Sequence, residues 1–267
     1  MKYPPIVYKY RNFTSDSHKA VLHKNELFYA APKYMNDPFD CRIPLCPELL
    51  DTEEKIDSYV GQMINNNRQQ LLQRGDNIEE LRNNYIERLK NDMPAEQQFA
   101  MSIEFSALDQ RLGIISMSSK WDSILMWSHY GDYHKGICYG FHEEKLRNSG
   151  RFGGGGKVSY SDKFPRLDPL EEKPMRNSFL QTHTKAKKWR YEKEYRFFTY
   201  YPENVDPESE RRKAYAEDNE FAEIILGLNF PDTDIPEVLK FALEKQVPVY
   251  KACKVAWKFE LFRERIN

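Results

Sequence analysis

The chain has 267 residues, of which 40% are apolar and 14% aromatic, so it can bury a sizeable core and is neither a fibre nor a disordered tail. Its 40 Lys and Arg balance 41 Asp and Glu, and the net charge of -1 excludes a global field that favours nucleic acid, membranes or acidic partners. Any such binding needs a local patch of charge.

No apolar run reaches the roughly 20 residues that span a bilayer, so we predict no membrane partner. The four cysteines form no CxxC pair, and no secretory signal precedes them. This usage favours free thiols in a reducing compartment, and we predict a cytoplasmic protein.

The first thirty residues predict a strand, a short helix and a second strand. Side chains alternate from Ile6 to Arg11, and Ser15 begins a helix-forming segment. A guanidinium at a strand end can bind a phosphate or carboxylate through two hydrogen bonds, although a lone arginine is more often half of a surface ion pair.

The tract YMNDPFD at residues 34–40 interrupts regular structure. Asn36 and Asp37, next to a proline, are typical of a turn that caps its own backbone. They could instead supply polar groups to the wall of a nucleotide pocket, and we favour this second interpretation.

Helical spacing replaces alternation from about residue 51 to about residue 109. Asp51 begins a pattern typical of a capping box, Asn77 can cap a second helix, and Pro94 suits the first turn of a third. We therefore predict a helical insertion, about 51–109, within a single α+β domain that spans 1–267.

The chain predicts strands again after the insertion. The segment LGIISMSS places Ser116 and Ser118 on one face of a strand and apolar residues on the other. Such a strand presents two hydroxyls to a cleft, or is simply a polar strand end. Because neither the Rossmann alternation nor a GxGxxG motif is present, we predict a mixed, mostly antiparallel sheet.

The segment WRYEKEYRFF at 189–198 has the sharpest pattern. Interpreted as one strand, it has an aromatic face with Trp189, Tyr191, Tyr195 and Phe197, and an ionic face with Arg190, Glu192, Glu194 and Arg196. Two neighbouring carboxylates shift each other's pKa, which is typical of catalytic pairs. The alternative is a solvated face that forms cross-strand ion pairs.

Two further motifs carry weaker signals. A metal site could use His129, Asp132, His134 and Cys138. Their spacing matches no zinc signature, so we predict a hydrogen-bonded network and no metal. The GGGGK run at 153–157 lacks the other residues of a phosphate loop and is predicted to be a flexible surface loop.

Three motifs in chain order resemble the arginine-serine-glutamate clade of ADP-ribosyltransferases: Arg11, the pair Ser116 and Ser118, and the pair Glu192 and Glu194. Most of the chain resembles the bacterial domain-of-unknown-function family 2971, through YKYR, NDPFD, LMWSHY, HKGICYGF and WRYEKEYRFF. The transferase resemblance implies a split sheet and NAD as a substrate.

The transferase resemblance also implies a role for each residue. Glu194 would hold a ribose hydroxyl and stabilise the positive charge that develops on the ribose as the glycosidic bond of NAD breaks. Glu192 would orient or deprotonate the acceptor. Ser116 and Ser118 would bind the ribose and brace the catalytic carboxylate, and Arg11 would bind the phosphates.

The remaining predicted NAD contacts are Asn36, Asp37, Trp127, His129 and Tyr130, with the ring of Trp127 or Tyr130 stacked on nicotinamide. The acceptor would be a protein or a nucleic acid. One alternative is a non-catalytic nucleotide-sensing or protein-interaction module. Another is a metal-dependent hydrolase, which requires His129, His134 and a carboxylate to converge.

Overall fold

The computed structural model of the protein describes residues 3–267, except for the side chain of residue 174. The chain folds as two compact units. The sheet unit contains the residues up to Met35, Asp109–Asp162 and Lys185–Asn267, and the helical unit contains Asn36–Leu108 and Lys163–Thr184.

The strands are β1 Ile6–Arg11, β2 Glu26–Phe28, β3 Leu112–Ser118, β4 Ile137–His142, β5 Gly154–Lys157, β6 Ser159–Ser161, β7 Thr184–Ala186, β8 Glu194–Tyr200, β9 Lys213–Tyr215, β10 Phe221–Leu226, β11 Val249–Lys254 and β12 Leu261–Arg265. The helices are α1 Asp16–Lys24, α2 Glu53–Gln73, α3 Ile78–Asn91, α4 Met93–Arg111, α5 Ile124–Tyr130, α6 Glu143–Asn148, α7 Pro174–His183 and α8 Ile235–Lys245. This composition confirms the predicted α+β class. No helix within residues 3–267 is long and apolar enough to cross a membrane.

Eight strands form the main sheet, in the order β12, β11, β10, β4, β1, β3, β8 and β5. Only β10 and β11 run parallel among the paired strands of this sheet, so the predicted mixed, mostly antiparallel arrangement is confirmed. β1 pairs with β4 over its whole length but with β3 only at Tyr8 and Ser118. The sheet is therefore loosely joined between β1 and β3.

Apolar side chains cover both faces of this sheet. On one face, α1 and α8 pack on a large core that includes Val7, Ile115, Met117, Tyr195 and Phe197. On the other face, Tyr8, Tyr10 and Cys138 pack with Met126 and Trp127 of α5. Strand alternation thus fixes which side chains of β1, β3 and β8 can meet.

The helical unit confirms the predicted helices between residues 51 and 109. Asn77 caps α3 by accepting hydrogen bonds from the backbone N–H groups of Glu79 and Glu80, both at 3.2 Å. The cap of α2 is Thr52 rather than Asp51, because the Thr52 hydroxyl accepts from Lys55 N. The unit also includes residues outside the predicted insertion, in 36–50 and 163–184. The proposal of a single domain stays a prediction.

Two predicted local structures are wrong. Lys187–Glu192 forms a 3₁₀ turn instead of the start of a strand, so Arg190 is exposed and Trp189 and Tyr191 are only half-buried. The glycine run is the edge strand β5, paired with β8, instead of a loop. A Cβ on Gly155 would lie 2.7 Å from the ring of Phe197, so glycine lets the two strands approach closely.

Arg212 is a fully buried guanidinium that joins separate parts of the sheet unit. It donates hydrogen bonds to six backbone carbonyls, those of Tyr29, Asp109, Gln110, Leu112, Val205 and Asp206. We expect Arg212→Met to lower the free energy of unfolding by at least about 3 kcal/mol, because buried carbonyls lose a charged donor. Urea denaturation measures this.

The neighbouring Arg211 offers a matched control. It pairs with Glu203 at 2.6 Å, and both side chains are more than half exposed. Arg211→Met should therefore cost less than about 1 kcal/mol. Equal costs for the two substitutions would contradict the structural role of Arg212.

Candidate functional site

A buried ion network lies where the 3₁₀ turn Lys187–Glu192 meets β8. It consists of Lys185, Glu192, Glu194 and Arg196, each of which is at most 6% exposed. Charges are rarely buried unless they are paired, and these four are paired with one another.

Glu194 is held by two cations. Arg196 donates to its two carboxylate oxygens at 2.7 and 2.9 Å, and Lys185 donates to Oε2 at 3.3 Å. Burial raises the pKa of Glu194, but Arg196, Lys185 and a hydrogen bond from Ser116 outweigh it and lower the pKa to about 2. Glu194 is therefore ionised at any ordinary pH.

Glu192 is held differently. Its Oε2 accepts from Lys185 Nζ at 2.7 Å, and its Oε1 accepts from the Tyr130 hydroxyl at 2.6 Å. Burial is the largest influence and raises the pKa of Glu192 above its usual 4.5, with a further increase from Glu194, although Lys185 and Tyr130 oppose both. One ammonium thus joins two carboxyl groups of different acidity.

The serine strand lies directly beside this network, as predicted. Ser118 pairs with Glu194 across β3 and β8, and its hydroxyl donates to the backbone carbonyl of Glu192 at 2.6 Å. Ser116 lies on the same face of β3, opposite Arg196, and helps to lower the pKa of Glu194. β3 therefore lies against both glutamates: it adjoins the side chain of Glu194 and contacts the backbone of Glu192.

Glu192 and Glu194 lie close together, but not as the neighbours on one strand that the sequence predicted. Glu192 ends the 3₁₀ turn, and Lys193 takes a left-handed conformation at φ 46° before β8 begins at Glu194. Lys185, on β7, was not among the predicted site residues. Its contacts with Glu192 and Glu194 depend on the turn, which the alternating sequence does not indicate.

Arg11 does not join this network. It pairs with Ile137 of β4, while Tyr8 of the same strand pairs with Ser118, so alternation puts the Arg11 side chain on the sheet face opposite to the serines and Glu194. Lys9, another residue missed in the sequence, donates to the backbone carbonyl of Ser116 at 2.6 Å across the loose junction of β1 and β3.

The aromatic candidates of α5 have separate positions. Trp127 is fully buried, and its Nε1 donates to the backbone carbonyl of Trp121 at 2.8 Å, so its ring is part of the core. Tyr130 contacts Glu192 directly. His129 is exposed, with its ring centroid 5.9 Å from that of Tyr191. Of the three, only Tyr130 touches the ion network.

Asn36 and Asp37 belong to the helical unit. The carboxylate of Asp37 accepts from the backbone N–H of Phe39 at 3.0 Å, which is the self-capping turn considered for this tract. His134 hydrogen-bonds to Ser128 in the sheet unit. Within the described part of the chain, no three His, Cys, Asp or Glu side chains are grouped as metal ligands.

The glutamate motif lies in a segment that a known family shares. Residues 126–197 match the model of a family described as "Protein of unknown function (DUF2971)". Over this segment the chain is similar to that family. The match includes Glu192, Glu194 and Lys185 and confirms the predicted family, while the resemblance to ADP-ribosyltransferases stays a prediction. No curated protein and no solved structure matches the chain.

Proposed function

We propose that the sheet unit cleaves the bond between nicotinamide and ribose in NAD, and passes the ADP-ribose to water or to an acceptor. One observation carries the proposal: Lys185 joins two buried carboxyl groups whose pKa values are pushed apart. Environments that separate the pKa values of two neighbouring acids are typical of catalytic pairs with distinct roles.

Glu194 suits the electrostatic role. As nicotinamide leaves, positive charge develops on the ribose ring, and a fixed negative charge stabilises this transition state more than the ground state. The pKa of about 2 keeps Glu194 ionised, and Ser116 and Arg196 fix its orientation. A carboxylate that does not have to reorient stabilises the developing charge without a reorganisation cost.

Glu192 suits the proton-transfer role. Its raised pKa lies closer to neutral pH, which favours the removal of a proton from the attacking water or acceptor hydroxyl. The Tyr130 hydroxyl and Lys185 hold its two oxygens in place. The oxygen of the water or acceptor bonds to the ribose as the bond to nicotinamide breaks, and nicotinamide leaves as a neutral molecule. Glu192 takes the proton that this oxygen loses.

The choice of NAD rests on the resemblance and on strand order. The strands with the arginine, serine and glutamate motifs, β1, β3 and β8, are consecutive in the sheet. The junction between the first two is loose, which is compatible with the split sheet that the transferase resemblance implies. As the resemblance implies, we assign Ser116 and Glu194 to the ribose. Arg11 lies on the other face, so we assign it no phosphate contact.

A second candidate is a binding module that senses a nucleotide without cleaving it. The observation in its favour is that Glu194 already has two cationic partners and is only 5% exposed. A carboxylate that is neutralised and covered in this way contributes less to catalysis. In either case we propose a cytoplasmic protein, and for the enzyme a protein or nucleic-acid acceptor.

The two candidates make different predictions for purified protein incubated with NAD. The enzyme releases free nicotinamide, which chromatography detects, and calorimetry shows NAD binding. The sensing module binds NAD with no nicotinamide release under any acceptor tested. Absence of both binding and release would contradict both candidates.

The pH dependence of nicotinamide release tests the role of Glu192. A base acts only when deprotonated, so we expect kcat/KM to rise with pH through a midpoint above 4.5, the usual pKa of a glutamate. Glu192→Gln should remove this acid limb and impair transfer to an acceptor more than hydrolysis. An acid limb that is unchanged in Glu192→Gln would exclude Glu192 as the base.

A further inference from the structure

The hairpin of β11 and β12 ends in two aromatic side chains that the rest of the described chain does not cover. Trp257 is 103% exposed and Phe259 is 99% exposed, the highest values among the large hydrophobic residues of the structure. Large apolar side chains are rarely left fully in water, and such exposure marks interaction sites.

The backbone of the turn holds these rings outward. Val255 N donates to the Glu260 carbonyl at 3.0 Å, and Lys258 N donates to the Val255 carbonyl at 3.3 Å, which closes the loop. Trp257 has φ 63°, a left-handed conformation that is unfavourable for a bulky residue. Strain of this kind persists where the surrounding structure imposes it, and it is common in segments that bind ligands.

The base of the hairpin is anchored. Arg263 of β12 forms an ion pair with the buried Glu223, and its guanidinium lies 4.4 Å from the centroid of the Tyr250 ring and 5.2 Å from that of Trp121. β11 and β12 pair over five positions. The exposed rings therefore stand on an ordered support.

The surroundings of the rings are basic. The ten residues from Lys251 to Glu260 contain three lysines and one glutamate, although the whole chain has a net charge of -1. Lys251 contacts Asp232, whereas Lys254 and Lys258 belong to the tip. Lys258 Nζ lies 3.9 Å from Glu260 Oε2, and both side chains are more than 60% exposed, so this ion pair is weak.

We propose that this hairpin tip binds single-stranded nucleic acid, with bases stacked on Trp257 and Phe259 and phosphates near Lys254 and Lys258. Exposed aromatic rings flanked by lysines are the two elements of sequence-tolerant single-strand binding. A local basic patch is also what the neutral overall charge requires for such binding. The site is independent of NAD cleavage.

The lysines favour single-stranded nucleic acid over the other partners that could bind an apolar hairpin tip. An apolar protein surface would use the rings but gain nothing from the lysines. Duplex nucleic acid would use the lysines but leave the rings in water, because its bases are already stacked. A single strand offers unstacked bases and phosphates together.

The probes are fluorescein-labelled twelve-residue thymidine and uridine oligonucleotides, followed by anisotropy at low salt. We expect saturable binding of at least one of them, and quenching of tryptophan emission by the unlabelled strand. Trp257→Ala and Phe259→Ala should each weaken binding roughly 5- to 150-fold. Trp257→Phe should keep most of the affinity and lose most of the quenching.

The salt dependence identifies the phosphate contacts. Two lysines predict a slope of log K against log salt of about −1.4, and Lys258→Gln should reduce its magnitude by about 0.7. Two control variants make comparable substitutions on the exposed surface of α8. They are Leu243→Ala, at a side chain that is 79% exposed, and Lys240→Gln. Both should leave binding unchanged.

Several results would overturn the proposal. One is no binding of either oligonucleotide up to about 1 mM protein, well above the range of typical non-specific binding. Another is unchanged affinity in both alanine variants, and a third is equal affinity for duplex of the same length. Quenching or a blue shift of Trp257 with an acidic peptide or a lipid vesicle, but not with the oligonucleotides, would assign the tip to that partner instead.

Discussion

Replacing Glu194 with glutamine is expected to lower the free energy of unfolding by about 3–5 kcal/mol, because it removes the carboxylate that Arg196 and Lys185 both contact inside the protein. Arg196 is fully buried, and its Nε and Nη2 donate to the two carboxylate oxygens of Glu194 at 2.7 and 2.9 Å. Lys185 loses one of its two carboxylates as well. Urea denaturation at pH 7 measures the loss.

A double variant separates charge from packing. Glu194→Gln combined with Arg196→Met removes both charges and should recover most of the stability, since a buried pair replaced by neutral residues is often tolerated. The exposed pair Glu203 and Arg211 gives the matched control, and Glu203→Gln with Arg211→Met should change stability by less than about 1 kcal/mol. A single variant Glu194→Gln that unfolds at the wild-type urea concentration would contradict the buried network.

Acid provides an independent check on the same pair. The pKa of Glu194 falls from its usual 4.5 to about 2 on folding, so its contribution to stability is present above about pH 4.5. That contribution is lost as the pH falls towards 2, and it amounts to about 3 kcal/mol. The wild type should lose more stability than the double variant in this window.

Much of the fold follows from local patterns. The cap at Asn77, the alternation of β1 and the serine face of β3 were all predictable, because side chains near in sequence determine them. The sequence also pointed to Glu192 and Glu194 as a pair beside Ser118, and the structure brings these three residues together.

The pattern at residues 189–192 misled because a period of two does not require a strand. Glu192 is held in the 3₁₀ turn by the side chains of Tyr130 and Lys185. Lys193 adopts a left-handed φ without being a glycine, so the sequence has no turn signal there. Contacts between distant residues therefore override the local pattern.

The position of Arg11 shows a second limit. Alternation predicts that Arg11 and Tyr8 lie on opposite faces of β1, but only the pairing of Tyr8 with Ser118 reveals that the serines share the face of Tyr8. Register between strands more than a hundred residues apart has no local signature. Lys9 escaped prediction for the same reason, whereas the contacts of Lys185 depend on the nearby 3₁₀ turn, which the sequence pattern does not indicate.

The largest catalytic effect is expected for the charge-balanced variant Glu194→Gln with Arg196→Met. It keeps the shape of the site but removes the negative charge that stabilises the ribose cation. Loss of one preorganised electrostatic group typically costs about 10² to 10³ in rate. The same loss in the single variant Glu194→Gln would be uninformative if that protein were partly unfolded.

Nicotinamide release from NAD, measured for the wild type and this double variant under identical conditions, tests the proposed cleavage most directly. The control Glu203→Gln with Arg211→Met should keep the wild-type rate within about twofold, since its exposed ion pair contributes little. We predict that the wild type releases nicotinamide and that the charge-balanced variant, folded by circular dichroism, releases it about 10² to 10³ times more slowly. Equal release by the two proteins, or none by the wild type while it binds NAD, would contradict catalysis by Glu194.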